Sequence, residues 1–460
     1  MHFDFIFVGA GPTSLEALKS LLIIKPLAKI AVVSPDVFWE GPASEQNQNK
    51  VTKTQILQTK STEKYPQEFM AERSEAFFWG TSCLPLRKIG ENNSITRAYF
   101  EKYKQICVSW EVQAERDNLS HVYPITGEQL GKLKRKKLAA TLVSGSNIDE
   151  NWVMGHSRLA LSANGRNACT SKGQCFSGCP VNSPWNPSKL AKIIAKKNVN
   201  VTWLNNTVKH ILQQKNSWLI ELNEKQFLET ENLILGAGWK TNMKLLQQIP
   251  KLENEIKYQN LLGANVVLFP ILIKKRTQNS DFYSSFFFHD VFISAKNRDL
   301  TAQIYLPTIE IYRRIISELP SPLQQMIKRY LTFLGEKIVA RHFGIAMVFL
   351  PASDLNTDAK ITKSQFHDFA KITRKFLKPI GGRLILIGAK KIEPRDSYHV
   401  GCLKILGETG MSLLKGDDGV KPLLPGLHVI GPLLLPFVQA GPHTISAAVI
   451  SKMYIEEIFR

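Results

Sequence analysis

A glycine-rich turn at residues 9–14 limits the fold of this chain more than any other feature. The apolar run Phe3–Val8 ends at the turn GAGPTS, and leucines then recur at helical spacing from Leu15. In such a strand–turn–helix unit the first glycine permits the tight turn and the second lets the backbone approach a pyrophosphate. The helix N-terminus then directs its N–H groups at the phosphates. The turn predicts a dinucleotide site; a turn without nucleotide is the alternative.

Three further apolar runs extend this prediction to a sheet. Ile30–Val33 follows the first helix and ends at Ser34, where an acidic residue usually holds a ribose, so that role falls to Ser34 or Asp36 or is missing. Asn232–Leu235 ends at Gly236, and Leu427–Ile430 ends at Gly431. Strands that end in glycine far apart in the chain predict one sheet built from separated segments. This layout is typical of a large flavin-binding domain with insertions.

The segment 246–396 has a different pattern. Strand-like runs occur at 264–273, 281–294, 300–306, 343–350 and 383–387, with amphipathic helices at 322–343 and 363–377. These runs predict a mostly antiparallel sheet with covering helices. We therefore expect an α/β protein with a Rossmann-like nucleotide-binding domain over 1–60, 151–245 and 397–460. A substrate or cap domain would comprise 61–150 and 246–396.

Composition excludes several classes of protein. With 44% hydrophobic residues the chain is not disordered, and six cysteines in 460 residues are too few for a disulfide scaffold. The longest apolar stretch, near 429–442, is shorter than the ~18 residues of a spanning helix, so no transmembrane segment is expected. The start MHFDFIF has no signal-peptide pattern. We expect a cytoplasmic protein, with export alongside a partner subunit left open.

Four segments together resemble the glucose–methanol–choline (GMC) family of FAD-dependent oxidoreductases, in particular its bacterial dehydrogenase-like branch. They are the turn GAGPTS, the cysteine-rich stretch 155–180, the segment LILGAGWKTNMKLL at 233–246, and the C-terminal stretches 396–406 and 426–458. The resemblance implies FAD as cofactor. It implies that the residues holding FAD are Gly9, Gly11, Pro12, Thr13, Ser14, Ser34, Gly236, Gly238, Gly431, Thr444 and Ile445.

The resemblance also implies a reaction and two catalytic residues. The family oxidises the CH–OH group of an alcohol or sugar-like substrate by hydride transfer to flavin N5, while a base removes the hydroxyl proton. His399 stands where the family has this base, and histidine suits the role because its pKa lies near neutrality. His443 stands near the family's second active-site residue and would hydrogen-bond the substrate oxygen. A purely structural histidine is the alternative at both positions.

Several positions depart from the family pattern. The family's His-x-x-Gly-Thr becomes His399-Val400-Gly401-Cys402, and Pro432 follows the glycine of the last strand. Two other readings therefore stay open. One is a flavoprotein of another class, such as an amine oxidase or a sugar mutase, and the other is a catalytically silent assembly partner.

Three cysteines form a cluster, Cys169, Cys175 and Cys179. Three thiolates do not complete a four-cysteine site but suffice for a three-iron cluster, which the resemblance to some GMC dehydrogenases also implies. Such a cluster would relay electrons from FAD to an acceptor protein. The alternative is a loop of thiols without metal.

The formal charge is +20, from 59 Lys and Arg against 39 Asp and Glu. The basic residues are spread along the chain, and no basic–aromatic stripe or known module predicts nucleic-acid binding. Two uses of the charge remain: attraction of an anionic small-molecule substrate, such as a phosphorylated sugar, or docking of an acidic electron-acceptor protein.

Overall fold

A computed structural model of the chain describes more than half of its residues. They are 1–35, 38, 82–87, 94–123, 135–145, 150–165, 167–170, 179, 181–223, 225–252, 255–275, 278, 289–308, 311, 340–354, 370–371, 373, 375–385, 389–392, 400–416 and 420–460. Residues 322–339 of the helix predicted over 322–343, His399 and Cys175 lie outside these residues, and β13 begins at Phe343.

Regular elements follow the predicted order along the described chain. The strands are β1 (His2–Val8), β2 (Ile30–Val33), β3 (Val112–Gln113), β4 (Trp152–His156), β5 (Leu159–Ala160), β6 (Val201–Leu204), β7 (Val208–Gln213), β8 (Trp218–Leu222), β9 (Phe227–Leu235), β10 (Leu261–Ile273), β11 (Val291–Ala295), β12 (Thr301–Tyr305), β13 (Phe343–Asp354), β14 (Gly382–Leu384), β15 (Lys390–Ile392), β16 (Val400–Leu403) and β17 (Leu427–Val429). The α-helices are α1 (Pro12–Ile24), α2 (Ser94–Ser109), α3 (Lys137–Gly145), α4 (Pro187–Lys197), α5 (Trp239–Leu246), α6 (Lys404–Lys415) and α7 (Thr444–Phe459).

The first sheet is assembled from segments that are far apart in the chain. Strands β6, β2, β1, β9 and β17 are parallel neighbours in that order. The first half of β9 also pairs with β8, which continues antiparallel into β7. Helices α1 and α7 pack against each other, and apolar residues of both lie in the main core. The predicted sheet built from separated segments is confirmed.

The second sheet is antiparallel. Its order is β14-β10-β13-β12-β11-β4, and the short strands β15 and β16 also pair with β10. Its core is a separate apolar cluster that includes Phe269, Ile304 and Val348. The α/β fold class with an antiparallel second sheet is thus confirmed.

The predicted domain boundaries do not separate the strands of the two sheets. Strand β4 lies within 151–245 and β16 within 397–460, yet both belong to the antiparallel sheet. Helix α2, from the predicted cap segment, contacts α7 of the nucleotide-binding segment. The domain limits therefore stay a prediction. Among the helices that the structure describes, none has the length and apolar character to cross a membrane.

A buried ion pair joins the start of α3 to the antiparallel sheet. The Lys136 Nζ donates to Asp290 Oδ2 at 2.9 Å, and both side chains are at most 2% exposed. The same carboxylate oxygen accepts the Leu306 N–H at 2.8 Å. A buried ion that loses its partner is strongly destabilising because its desolvation is no longer compensated.

We predict that Lys136→Met lowers the free energy of unfolding by about 3–5 kcal/mol, since it leaves Asp290 buried without its cation. The exposed neighbour gives a matched control, Lys137→Met, which should change stability by less than about 0.5 kcal/mol. Urea unfolding of both variants measures the difference. Equal losses in the two variants would contradict a structural role for the pair.

Candidate active site

The carboxyl ends of four parallel strands, β2, β1, β9 and β17, meet in register at one edge of the first sheet. Val8 pairs with Val33 on one side and with Leu235 on the other, and Leu235 pairs with Val429. Each of these strand ends is followed within two residues by Gly9, Ser34, Gly236 or Gly431. Ligands of open α/β sheets bind at this edge. The predicted cofactor residues from separate segments are therefore neighbours in the fold.

The turns after β1 and β9 approach each other backbone to backbone. Gly9 has φ of 98°, and a Cβ placed on it would lie 2.6 Å from Ala237 Cα and 2.8 Å from the Gly236 carbonyl oxygen. The Gly236 N–H donates to the Val8 carbonyl at 2.9 Å. Only glycine fits at position 9, both for its φ and for the space.

The N-terminus of α1 opens at this edge without a side-chain cap. Gly11 is the N-cap, Pro12 is the first helical residue, and the first turn holds no acidic residue. The N–H groups of Thr13 and Ser14 therefore have no partner inside the helix. The Ser14 Oγ donates to the Gly236 carbonyl at 2.9 Å and holds α1 against the end of β9. A small residue at position 14 thus has a packing reason.

Gly431 completes this group of glycines. It has φ of 91°, and a Cβ on it would lie 3.3 Å from Thr13 Oγ1. Its N–H donates to Ser451 Oγ at 2.9 Å, and that hydroxyl in turn donates to the Ala447 carbonyl within α7. Gly238, the N-cap of α5, has φ of 83°, and no heavy atom lies within 4 Å of where its Cβ would be.

Ser34 follows β2 at the same edge. Its N–H donates to the Leu204 carbonyl at 3.1 Å, which continues the pairing with β6, and its side chain is half-buried. The alternative ribose ligand, Asp36, lies outside the described residues. The role of Ser34 stays a prediction.

The two C-terminal segments that carry the predicted histidines are in contact. His399 lies outside the described residues, but the next residues, Val400 and Gly401, are buried in β16. A Cβ on Gly401 would lie 2.5 Å from the Pro432 carbonyl oxygen. The thiol of Cys402 donates to the Pro436 carbonyl at 3.4 Å. The strand after His399 therefore packs on the loop that leads to His443.

Residues that sequence reasoning missed hold this loop. Gln439 is 2% exposed; its Oε1 accepts the Arg87 backbone N–H at 3.2 Å, and its Nε2 donates to the Pro442 carbonyl at 3.3 Å. The Ala440 N–H donates to both oxygens of Asp299 at 2.9 Å. Glutamine in an apolar loop was the available signal, since a buried amide needs partners.

His443 is the N-cap of α7 and is 3% exposed. Burial lowers its pKa to about 4, so the imidazole is neutral near pH 7. Thr444 and Ile445 form the first turn of α7, which holds no acidic residue, and the Ser446 hydroxyl donates to the Leu84 carbonyl at 3.0 Å. A neutral imidazole offers one donor and one acceptor.

The cysteine cluster is only partly described. Cys169 and Cys179 are half-buried thiols, and Cys175 lies outside the described residues. The Cys179 sulfur accepts the Ser183 N–H at 3.3 Å. Over the described part of the chain, no three His, Cys, Asp or Glu side chains are grouped to hold a metal ion. The three-iron cluster stays a prediction.

Similar solved structures exist, although no family model and no curated protein matches the chain. A variant of Aspergillus oryzae formate oxidase, studied for FAD modification, is 11% identical, with a TM-score of 0.53 over 99% of this chain and 98% of that one. A second formate oxidase structure has a TM-score of 0.52 with the same identity and coverage. At this identity the likeness shows the fold alone: the chain has the fold of these formate oxidase structures, and the predicted fold class is confirmed. The bacterial dehydrogenase branch stays a prediction.

Three buried histidines predict how stability depends on pH. Burial lowers the pKa of His443 and of His428 to about 4 and that of His289 to about 3. Histidine in an unfolded chain titrates near pH 6.5, so between about pH 6.5 and 4 the unfolded state binds protons that the folded state does not. The free energy of unfolding should therefore fall as pH drops through this window.

His443→Gln should reduce the slope of the free energy of unfolding against pH by up to about 1.4 kcal/mol per pH unit, because one proton less is taken up on unfolding. Urea unfolding at a series of pH values measures the slope. The exposed His210 provides the control: His210→Gln should leave the slope as it is in the unmodified protein. An unchanged slope in His443→Gln would show that His443 is protonated while the chain is folded.

Proposed function

We propose that this chain is an FAD-dependent oxidoreductase that oxidises the CH–OH group of a sugar-like or other alcohol substrate, with His399 as the base. The observation that carries the proposal is the meeting of Gly9, Gly236 and Gly431 beside the uncapped N-terminus of α1. A turn of this kind suits a pyrophosphate, because backbone N–H groups and the helix dipole both favour an anion. The FAD that the similar formate oxidase carries supports the choice of cofactor.

The residues at the sheet edge fit FAD. A Cβ at Gly9 would fill the space between the turns that follow β1 and β9. The first turn of helix α1 has no acidic side chain that would repel phosphates. In the proposal Gly11, Pro12, Thr13 and Ser14 hold the pyrophosphate and Ser34 the ribose. The residues nearest the flavin would be Gly236, Gly238, Gly431, Thr444 and Ile445. Bound FAD would supply the hydride acceptor, flavin N5.

The chain's own groups would handle the proton and the charge. His399 would take the hydroxyl proton of the substrate as the base. His443, neutral because burial lowers its pKa to about 4, would hold the substrate oxygen through one ring nitrogen. The N-terminal end of α7, free of acidic residues, would stabilise negative charge that develops beside it.

Burial of the loop before α7 supports a site from which water is kept out. Gln439 and His443 are at most 3% exposed, and Asp299 fixes Ala440 between them. Such a loop holds catalytic groups in place through hydrogen bonds rather than through its own regular structure. The proposal thus places the reaction chemistry beside this loop, which the contact between Gly401 and Pro432 holds against β16.

The other readings differ in what they predict for a purified protein. The flavin of an amine oxidase would be bleached by amines rather than by alcohols. The flavin of a silent assembly partner would be bleached by neither. Cys402 stands where the family has threonine, and its buried thiol donates to the Pro436 carbonyl. This difference therefore favours neither the amine oxidase nor the silent partner. The electron acceptor depends on the predicted cluster of Cys169, Cys175 and Cys179.

The variant Gly9→Ala should lose bound flavin. Its Cβ would lie 2.6 Å from Ala237 Cα, so the turns after β1 and β9 must separate where the pyrophosphate would bind. The ratio of flavin to protein absorbance in the purified variant should fall at least tenfold. Gly165→Ala is the matched control, because Gly165 also has positive φ, 74°, but no atom within 4 Å of the added Cβ. Full flavin content in Gly9→Ala would refute the assigned site.

His399→Ala should lower kcat by about 10²–10⁴, the usual contribution of a general base. Anaerobic bleaching of the flavin by a panel of sugars and alcohols first identifies a substrate, and stopped-flow bleaching then gives the rate. The control variant is His210→Ala, which changes an exposed histidine of β7. Full turnover by His399→Ala would overturn the assignment of the base while leaving the flavin site standing.

A further inference from the structure

A basic and apolar surface lies at the edge of the first sheet opposite the candidate active site. Two connections meet there, the one from α1 to β2 and the one from α4 to β6, and both lead into the amino ends of parallel strands. The Asn200 Nδ2 donates to the carbonyls of Pro26 at 3.2 Å and Ala28 at 2.6 Å. The two connections are therefore tied side by side.

Each connection raises an apolar side chain into solvent. Leu27 is 93% exposed and lies between Pro26 and Ala28, the two residues whose carbonyls accept from Asn200. Val199 is 102% exposed and directly precedes Asn200. Ile23, at the end of α1, is 73% exposed, and Ile193, on α4, is 52% exposed. Helices α1 and α4 contact each other, and their connections are joined through Asn200, so both helices lead to the same edge of the sheet.

Lysines surround the four apolar side chains. Residues 19–29 and 187–200 together hold seven lysines and no aspartate or glutamate. These four apolar residues and five exposed lysines form what we call the basic apolar patch. The lysines are Lys25, Lys29, Lys192, Lys196 and Lys197. One carboxylate borders it: Asp4 Oδ2 accepts the backbone N–H of Lys29 at 2.7 Å.

We propose that the basic apolar patch docks the protein on an anionic membrane surface. A bilayer interface accepts single apolar side chains at the acyl boundary while lysines contact the anionic headgroups. Leu27 and Val199 stand on protruding connections, and a bilayer needs no matching groove to receive them. The excess of positive charge in the chain, +20, agrees with this partner, and the proposal is independent of the flavin chemistry.

The geometry leaves the candidate active site free on a docked molecule. The patch lies at the amino ends of β2 and β6, whereas the glycine turns lie at the carboxyl ends of the same sheet. Attachment is reversible on this proposal, because the patch consists of single side chains on the two connections and on the adjoining helices α1 and α4, and no helix as a whole enters the bilayer.

The first test uses the full chain and vesicles of phosphatidylglycerol and phosphatidylcholine in equal parts. At low salt the protein should sediment with these vesicles and not with pure phosphatidylcholine, and added salt should release it. The variant Lys25→Gln/Lys196→Gln/Lys197→Gln should bind about 100-fold more weakly, at about fivefold per lysine. Failure of the unmodified protein to sediment, or equal binding to pure phosphatidylcholine, would overturn the proposal.

Matched controls separate the patch from the overall charge. Lys215→Gln/Lys225→Gln/Lys257→Gln removes the same charge from exposed lysines toward the β7 edge of the sheet and should keep full binding. Leu27→Ser/Val199→Ser should weaken binding at least tenfold, whereas Leu212→Ser/Phe227→Ser, at residues 52% and 48% exposed, should not. Equal losses in patch and control variants would show unspecific attraction, and unchanged binding of the patch variants would point to a protein partner. Either result would refute membrane docking through this surface.

Discussion

The close approach of two backbone turns at the carboxyl edge of the first sheet is the constraint on which the rest depends. Gly9 meets Ala237 at a distance that no side chain allows, and Ser14 fixes α1 to the Gly236 carbonyl beside them. Because β1 pairs with both β2 and β9, this approach brings segments more than 200 residues apart into one site. The uncapped helix end of α1 gains its proposed role only from that placement.

The final segment of the chain depends on the same edge. Gly431 lies against Thr13, and Ser451 joins its N–H to α7. From there the loop to His443 is held by partners from the antiparallel sheet, Asp299 among them, and by Gly401 of β16. The candidate site therefore takes residues from both sheets, and neither sheet alone holds the loop that carries His443.

Local patterns in the sequence predicted the parallel sheet well. Strands β2 and β17 and helix α7 begin at the expected residues, and β1 begins one residue before the predicted Phe3. A short apolar run followed by glycine has few other solutions. The assignment of β4 and β16 to the antiparallel sheet was not predictable, since pairing partners far away in the chain decide it. Arg87 and Gln439 were missed for the same reason: their importance comes from hydrogen bonds across hundreds of residues. A glutamine in an apolar loop indicates that a partner exists, but a single sequence does not say which residue the partner is.

Strand β10 has an uneven pattern of pairing. On one side β13 accompanies it over nearly its whole length, while on the other the short strands β14, β15 and β16 occupy successive stretches of it. The continuous partner β13 sets the register of β10, and each short strand pairs with only three residues of it. An engineer seeking a new substrate preference can therefore alter one short strand without losing the register of the sheet.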